Sequence, residues 1–223
     1  MAIKAFNNLK IGSNREKLAW LIWYLRKGAI PLVRGCFFNL THAKKWTFRL
    51  IGSKVNVLYS RYLHLGKFVY IGDFCQINAL TQKGIWLDDR VTIREFGLIQ
   101  GSSNPINPGV SLHVGRDVYI GPRCNIGIGG PVTIKSGCQI GADFTLVAEN
   151  HIVTGGVASK TEVSRKGIQI GEKCWIGHRV LILDGVVLGD GVIVGAGSVV
   201  TKSFENGVVA GNPARRLGNG FEN

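Results

Sequence analysis

The segment from Ile170 to Val200 reads IGEKCWIGHRVLILDGVVLGDGVIVGAGSVV and repeats itself every six residues. Glycine usually follows the aliphatic residue of each hexapeptide, and a small or β-branched residue stands four positions after that aliphatic residue. The recurring aliphatic residues are Ile170, Ile176, Ile182, Leu188, Val194 and Val200. So short and regular a period indicates a repeat architecture, in which each unit buries its apolar face only by stacking on the next.

The same phase continues upstream of this segment. Its earlier members are Leu65, Ile71, Ile77, Leu87, Ile93, Ile99, Val114, Ile120, Ile126, Ile134, Ile140 and Leu146. A hexapeptide is long enough for one short strand and one corner, so three of them close a triangular turn of about 18 residues. Stacked turns predict a parallel β-helix of roughly seven or eight coils between residue 56 and the C-terminus. We expect glycine, at 31 residues, to tolerate the backbone dihedrals of the corners.

Four of the five cysteines test this register. Cys75, Cys124, Cys138 and Cys174 each stand four positions after an aliphatic residue of the repeat, and only Cys36 lies outside it. The chain has no CxxC pair that would suggest a metal site. Because a free cysteine behaves as a small buried apolar residue, these four are predicted to pack in the core.

Basic residues are concentrated in the N-terminal third. The formal charge is +13, and residues 1–67 hold 13 Lys and Arg against one acid, whereas residues 68–223 hold 14 Lys and Arg against 13 acids. A basic segment attracts anionic lipid, nucleic acid or phosphorylated ligands. We therefore divide the chain into a basic, aromatic N-terminal segment (1–55), a β-helix domain (56–217) and a C-terminal tail (218–223).

Residues 14–28 predict a short helix, which Gly28 closes and Pro31 stops. Three roles for the N-terminal segment remain open: a cap or subunit contact, peripheral contact of residues 1–67 with an anionic membrane, and nucleic-acid binding, for which no motif is present. The start MAIKAFNNLKIG resembles no signal peptide, and the apolar run 18–25 is shorter than the roughly 20 residues that cross a bilayer. We expect a cytoplasmic protein, at the inner face of the membrane if the segment binds lipid.

The period breaks between Leu146 and Ile168, which predicts a loop extruded from the coil over residues 147–168. Long loops on rigid scaffolds commonly carry functional residues. This loop carries His151, and histidine is the commonest general base at neutral pH.

From about residue 65 to 217 the chain resembles the hexapeptide-repeat O-acetyltransferases, both the maltose/galactoside type and the enzymes of surface-polysaccharide assembly. The end block, residues 175–215, carries the resemblance, and its most specific parts are GAGSVVTK followed by AGNPAR. The resemblance implies an all-β fold, a left-handed parallel β-helix of hexapeptide repeats, and the residues add a short, partly helical, basic N-terminal segment. It also implies acetyl-coenzyme A as acyl donor, no metal, and a homotrimer with active sites at subunit boundaries.

The resemblance also implies catalytic residues. His151 matches the histidine that takes the proton from the acceptor hydroxyl, so that the oxygen can attack the thioester. Glu162 stands 11 residues later, at the offset of the family's glutamate that holds the imidazole. The family places an asparagine beside the reacting centre, for which Asn125 is the nearest candidate and Asn150 an alternative.

The coenzyme site is implied by the same block. The backbone at Ala196 and the corner one coil below it, at His178, match the positions that meet the pantetheine arm. Thr201, Lys202 and Arg215 match the residues that face the nucleotide end, where Lys and Arg suit anionic phosphates.

The implied function is transfer of an acetyl group from acetyl-coenzyme A to a sugar hydroxyl in glycan or surface-polysaccharide biosynthesis. Two departures from the family are the SFENG loop (203–207), one residue shorter than usual, and an N-terminal third unlike that of the maltose-type enzymes. Alternatives are an N-acetyltransferase of an amino sugar or small amine, and a non-catalytic β-helix scaffold. A γ-type carbonic anhydrase requires paired histidines on adjacent coils, a spacing that His113, His151 and His178 lack.

Overall fold

The computed structural model describes residues 14–42, 47–101 and 106–217, and most of them form a left-handed parallel β-helix of triangular section. Sheet A comprises Arg49–Ile51, Val69–Ile71, Thr92–Ile93, Tyr119–Ile120, Gln139–Ile140, Trp175–Ile176, Ile193–Val194, Val208–Gly211 and Ala214–Arg216. Sheet B comprises Asn56–Leu58, Gln76–Asn78, Leu98–Gln100, Asn125–Gly127, Thr145–Val147, Leu181–Leu183 and Val199–Val200. Sheet C comprises Leu63–Leu65, Ile85–Leu87, Ser111–Val114, Pro131–Ile134, Ile168–Ile170 and Val187–Leu188. The predicted fold class is confirmed.

The aliphatic residues of the repeat form the core. All six of those between Ile170 and Val200 are at most 1% exposed, and the upstream members are at most 2% exposed apart from Leu65, which is partly buried. Each pairs with its counterpart in the next coil; Ile140, for example, lies opposite Ile176 in sheet A. The predicted register is therefore confirmed, because every strand turns its repeat residue towards one shared interior.

The predicted role of glycine in the corners is confirmed at some coils, as at Gly191 with φ 69°, while others place a larger residue there, as at Arg179 with φ 58°. The glycines that directly follow the aliphatic residues serve another purpose. A Cβ atom on Gly177 would lie 2.6 Å from the backbone nitrogen of Ala196, and one on Gly141 would lie 2.7 Å from that of His178. Glycine is required at these positions because the backbone of the next coil passes too close for a side chain.

The cysteine prediction is confirmed. Cys75, Cys124, Cys138 and Cys174 are free thiols, each at most 1% exposed. Burial raises the pKa of the Cys75 thiol to about 11 and that of the Cys124 thiol to about 12. These two thiols therefore stay protonated and act as small apolar residues of the core.

The N-terminal helix, residues 14–42, continues past the point where it was predicted to end. It consists of an α-helix over Asn14–Tyr24, a π-helical turn over Leu25–Ala29 and an α-helix over Ile30–His42. The Ile30 N–H bonds the Leu25 carbonyl, five residues back. The prediction that Pro31 stops the helix was wrong because the π-turn opens a new α-helical segment at this point, and proline is tolerated in a first turn.

The second half of this helix packs on the first strand of sheet A, ahead of the predicted domain start at residue 56. A Cβ atom on Gly35 would lie 2.0 Å from the Arg49 carbonyl oxygen. The buried Arg49 guanidinium donates to the Asn39 side chain and, at 2.9 Å, to the Leu65 carbonyl. Arg49 occupies the inward position that Val69 fills in the next coil, so this strand does not match the apolar pattern of the repeat at that position. The tail 218–223 lies outside the described residues.

A partly buried ion pair attaches the middle of the helix to the coil. Lys27 donates to the Glu95 carboxylate, which also accepts from Arg94 at 2.9 Å. Burial alone would raise the pKa of Glu95, but the hydrogen bonds from Lys27 and Arg94 outweigh it and lower that pKa to about 2. The pKa of Lys27 is raised, chiefly by the same hydrogen bond.

We expect Glu95→Gln to loosen the first half of the helix, with amide hydrogen exchange in residues 16–29 rising about fivefold, since a partly exposed pair is worth about 1 kcal/mol. The pKa of Glu95 is lower in the folded than in the unfolded protein. The pair therefore stabilises the packing of the helix on the coil above about pH 4.5, and its contribution is lost as the pH falls towards about 2. Glu172→Gln, at an exposed carboxylate of a later coil, is the control; equal exchange in both variants would contradict this role.

Candidate functional site

The segment between sheets B and C that interrupts the repeat forms an antiparallel hairpin. Its strands are Asn150–Thr154 and Val157–Ser164. The two-residue turn is Gly155-Gly156, with φ of 59° and 81°. Two positive φ angles match the type I′ turn, which only residues such as glycine adopt without strain. The hairpin therefore folds by its own turn chemistry and stands outside the coil.

Hydrogen bonds fix the root of the hairpin to the coil. Arg165 bonds the Glu149 carboxylate at 2.7 Å and the Asn107 side-chain oxygen at 2.8 Å. The Asp184 carboxylate accepts the backbone N–H of Gly167 at 2.7 Å. Only 14% of the Arg165 side chain is exposed, so these bonds are partly shielded from water. The hairpin thus leaves the coil in a defined direction although its strands are exposed.

His151 lies on the first strand of the hairpin with an exposed imidazole. Its Nδ1 lies 2.9 Å from the backbone carbonyl oxygen of Ser159. A carbonyl oxygen only accepts, so Nδ1 must carry the proton of the neutral ring, and Nε2 carries the lone pair. The arrangement can therefore take a proton at Nε2. No side-chain pattern could have pointed to Ser159, since it acts through its backbone.

Glu162 lies on the second strand of the hairpin, next to the residue that pairs with His151. Val163 is the residue opposite His151, so the side chain of its neighbour Glu162 starts towards the other face of the hairpin. The backbone N–H of Glu162 donates to the Ser159 hydroxyl at 2.9 Å. The role of its carboxylate in holding the imidazole stays a prediction.

The two asparagine candidates occupy different elements. Asn125 is exposed on the outer face of sheet B, paired with Thr145 of the strand from which the hairpin leaves. Asn150 is exposed at the first position of the hairpin and lies opposite Ser164. Both face solvent near the root of the hairpin, and a role for either beside a reacting centre stays a prediction.

A groove of about 250 Å³ runs along the corner between sheets A and B and brings together two of the predicted coenzyme residues, His178 and Ala196. The glycine column Gly141, Gly177 and Gly195 lies along its length. These glycines let neighbouring coils approach closely along the corner, and the groove that runs over them is largely apolar. The column was visible in the sequence as the glycine of each hexapeptide.

Trp175 and Ile193 form the other wall of this groove. Trp175 projects from the outer face of sheet A and is 56% exposed. Trp175 was not predicted from the sequence. A large aromatic residue at an outward strand position was nevertheless a usable signal, because such a residue gains little by folding unless it meets a partner or ligand.

The cationic residue Arg215 lies beyond the last coil of the groove. A Cβ atom on Gly195 would lie 2.8 Å from that of Ala210, and Ala210 pairs with Arg215 in the final antiparallel turn of sheet A. Thr201 and Lys202 are exposed after the last strand of sheet B, and the Lys202 ammonium lies 5.7 Å from the centre of the Phe204 ring. Neither lines the groove.

His151 likewise does not line the groove within the chain. His113 is exposed and its Nε2 lies 3.2 Å from an Asp88 carboxylate oxygen. Among residues 14–42, 47–101 and 106–217, no three His, Cys, Asp or Glu residues are grouped as metal ligands.

A family model and several solved structures are similar to this chain. Residues 167–202 match the family model of the bacterial transferase hexapeptide (six repeats). A galactoside acetyltransferase in complex with coenzyme A is 32% identical over 59% of this chain and 60% of its own length, with a TM-score of 0.45. The match thus spans less than two thirds of that protein.

Two further solved structures cover more of the chain. AntD, an N-acyltransferase from Bacillus cereus in complex with dTDP and 3-hydroxybutyryl-CoA, is 20% identical over 76% of this chain and 78% of its own, with a TM-score of 0.52. The polySia-specific acetyltransferase NeuO is 22% identical over 77% of this chain and 75% of its own, with a TM-score of 0.45. The resemblance inferred from the end block is thereby confirmed, and the chain is a left-handed β-helix that carries the hexapeptide repeat of the bacterial transferases.

Proposed function

We propose that this protein transfers an acetyl group from acetyl-coenzyme A to a hydroxyl of a sugar, in glycan or surface-polysaccharide biosynthesis. The observation that carries the proposal is the exposed His151 imidazole, held through Nδ1 by the Ser159 carbonyl at 2.9 Å. The names of the similar proteins support it, since they include acetyltransferases and complexes with coenzyme A or an acyl-coenzyme A.

The chemistry follows from the tautomer. The Nε2 atom of His151 accepts the proton of the acceptor hydroxyl as the oxygen attacks the thioester carbonyl. A backbone N–H at the Ala196 turn donates to the oxyanion that forms. The tetrahedral intermediate then collapses: the C–S bond breaks, and the thiolate takes the proton from the imidazolium. The carbonyl of Ser159 stabilises the transient positive charge on the ring.

The groove at the corner between sheets A and B is proposed to hold the coenzyme. It offers the pantetheine arm a largely apolar surface, with Trp175 along one wall and His178 with Ala196 along the other. The cations Lys202 and Arg215, with Thr201 beside them, would face the phosphates of the nucleotide end.

A homotrimer would complete the site. His151 lies outside the groove of its own chain, so base and thioester must meet by another route. We propose that the hairpin of one subunit reaches the groove of its neighbour, where Asn125 or Asn150 contacts the reacting centre and Glu162 supports the imidazole. The proposed enzyme is cytoplasmic and uses soluble acetyl-coenzyme A.

The first test is acceptor-dependent release of free thiol from acetyl-coenzyme A over a panel of glycans and amino sugars. Release with sugars that offer only hydroxyl groups would support the proposal. Release with amino sugars alone would replace it by N-acetylation. Absence of coenzyme binding in calorimetry would favour a non-catalytic scaffold.

Arg215→Ala is expected to weaken coenzyme A binding about fivefold, because an exposed cation contributes about 1 kcal/mol to holding a phosphate. Isothermal titration calorimetry with coenzyme A measures the change. The control is the adjacent Arg216→Ala, since the Arg216 guanidinium is engaged by the Asn206 side chain at 2.6 Å and its carbonyl at 2.7 Å. Equal losses in the two variants would argue against a specific contact of Arg215.

A further inference from the structure

The N-terminal helix presents large apolar side chains to solvent on both sides of its π-turn. In the first half, Leu18 and Trp23 are 57% and 58% exposed. In the second half, Val33, Phe37 and Leu40 are 56%, 66% and 70% exposed. We name these five residues the helix patch. Each of these side chains is more than half exposed, and a surface of this kind marks an interaction site.

Basic side chains flank the helix patch. Residues 14–42 contain five Lys and Arg against the single acid Glu16. Arg26 and Arg34 line a cleft of about 540 Å³ between the helix and the first corner of the coil, together with Trp23. Cationic heads beside exposed aromatic and aliphatic side chains are the composition of helices that lie at a membrane interface.

We propose that the N-terminal helix docks the protein on an anionic lipid bilayer, with the helix in the plane of the interface. The apolar side chains of the helix patch would enter the acyl boundary, while Arg26 and Arg34 would meet the lipid phosphates. Each Lys or Arg near such a surface contributes about 1 kcal/mol. This proposal is independent of the acetyl transfer proposed above.

Charge favours a bilayer over a second copy of this chain as the occupant. Residues 1–67 carry a net charge of +12, and residues 68–223 carry 14 Lys and Arg against 13 Asp and Glu. Another copy therefore offers no net acidic surface to receive the basic helix, whereas an anionic leaflet does. No helix in the described parts of the chain is long and apolar enough to cross a bilayer.

The position of the helix leaves the groove accessible. Trp23 and Lys27 line a cleft over the outer face of sheet A with Tyr119. From Tyr119 the strand order leads through Gln139 and Trp175 to Ile193 in the groove, three strand spacings or about 14 Å away. Docking through the helix would thus hold the groove close to the bilayer without covering it.

Co-sedimentation of the full chain with lipid vesicles tests the proposal. We expect binding to phosphatidylcholine vesicles that contain about a third phosphatidylserine, little binding to phosphatidylcholine alone, and at least a tenfold loss of affinity between about 0.1 and 0.5 M salt. Failure to bind the anionic vesicles, or equal binding to both compositions, would overturn the proposal.

Two paired variants separate the contributions of charge and apolar contact. Arg26→Glu with Arg34→Glu, and Phe37→Ser with Leu40→Ser, are each expected to lower vesicle affinity at least tenfold. Arg116→Glu and Val187→Ser, at exposed positions of later coils, are the matched controls and should bind as the wild type. Circular dichroism verifies that each variant is folded.

Amide exchange in residues 16–29 gives a second readout that separates a bilayer from a second copy. Protection that appears on addition of anionic vesicles supports the proposal. Protection that depends on protein concentration without lipid, and that the Phe37→Ser, Leu40→Ser variant abolishes, would assign the helix patch to a subunit interface and overturn it.

Discussion

Replacing His151 by alanine is expected to lower kcat for acetyl transfer by about 10²–10⁴-fold, the usual contribution of a general base. The acceptor hydroxyl then has no group to take its proton as it attacks the thioester. Coenzyme affinity should stay within about twofold of the wild type, because in the proposed mechanism the imidazole contacts the acceptor hydroxyl rather than the coenzyme. Thiol release under saturating acetyl-coenzyme A measures kcat, and calorimetry measures the affinity.

His113→Ala is the matched control for this variant. His113 also exposes its imidazole on the surface of the coil, where it contacts Asp88 rather than the hairpin. We expect kcat to be unchanged there. A His151→Ala enzyme that retains wild-type kcat would remove the base from the mechanism, and an equal loss in both variants would point to a general effect of surface charge.

Phe144→Ala is expected to destabilise the coil by about 3–5 kcal/mol, the range for a fully buried phenylalanine. Phe144 has no exposed surface and occupies a corner position where the repeat usually has a small residue. The strand pairing stacks it between Cys124 and Val180 of the neighbouring coils, whose small side chains leave it room. Truncation would therefore leave a cavity that neither neighbour can fill.

Urea denaturation monitored by circular dichroism measures this loss of unfolding free energy. Cys124→Ala is the control in the same column, and we expect it to lose roughly 1 kcal/mol because it removes a single buried sulfur atom. A loss below about 1.5 kcal/mol for Phe144→Ala would mean that the coils close over the cavity.

The coil could be predicted from the sequence because its strands are specified by residues close together in the chain. Ile170, Ile176 and Ile182 each pair with a residue of a neighbouring coil, so a six-residue pattern suffices to place them. The candidate base was recognisable for the opposite reason: His151 stands where the pattern stops. Ala196 and His178 were also placed together, since they follow the same hexapeptide position one coil apart.

The features that were not predicted depend mainly on backbone geometry, which the residue types do not indicate. The π-turn that carries the helix past Pro31 is formed by five ordinary residues, Leu25–Ala29. The acceptor for the His151 ring is a main-chain carbonyl, that of Ser159, and any residue there could have supplied it. The strand Arg49–Ile51 was missed because a buried arginine stands where the repeat has a small or β-branched residue.

The hairpin interrupts the sequence but not the stacking of the coils. Ile134 pairs with Ile170 and Leu146 with Ile182 in the same register as any uninterrupted neighbours. Under the proposed function, folding stability and acceptor chemistry are therefore encoded in separate parts of the chain. Substitutions in residues 150–164 would then alter the acceptor while the core is unchanged, and such a scaffold would acquire new substrates through changes in one exposed insertion.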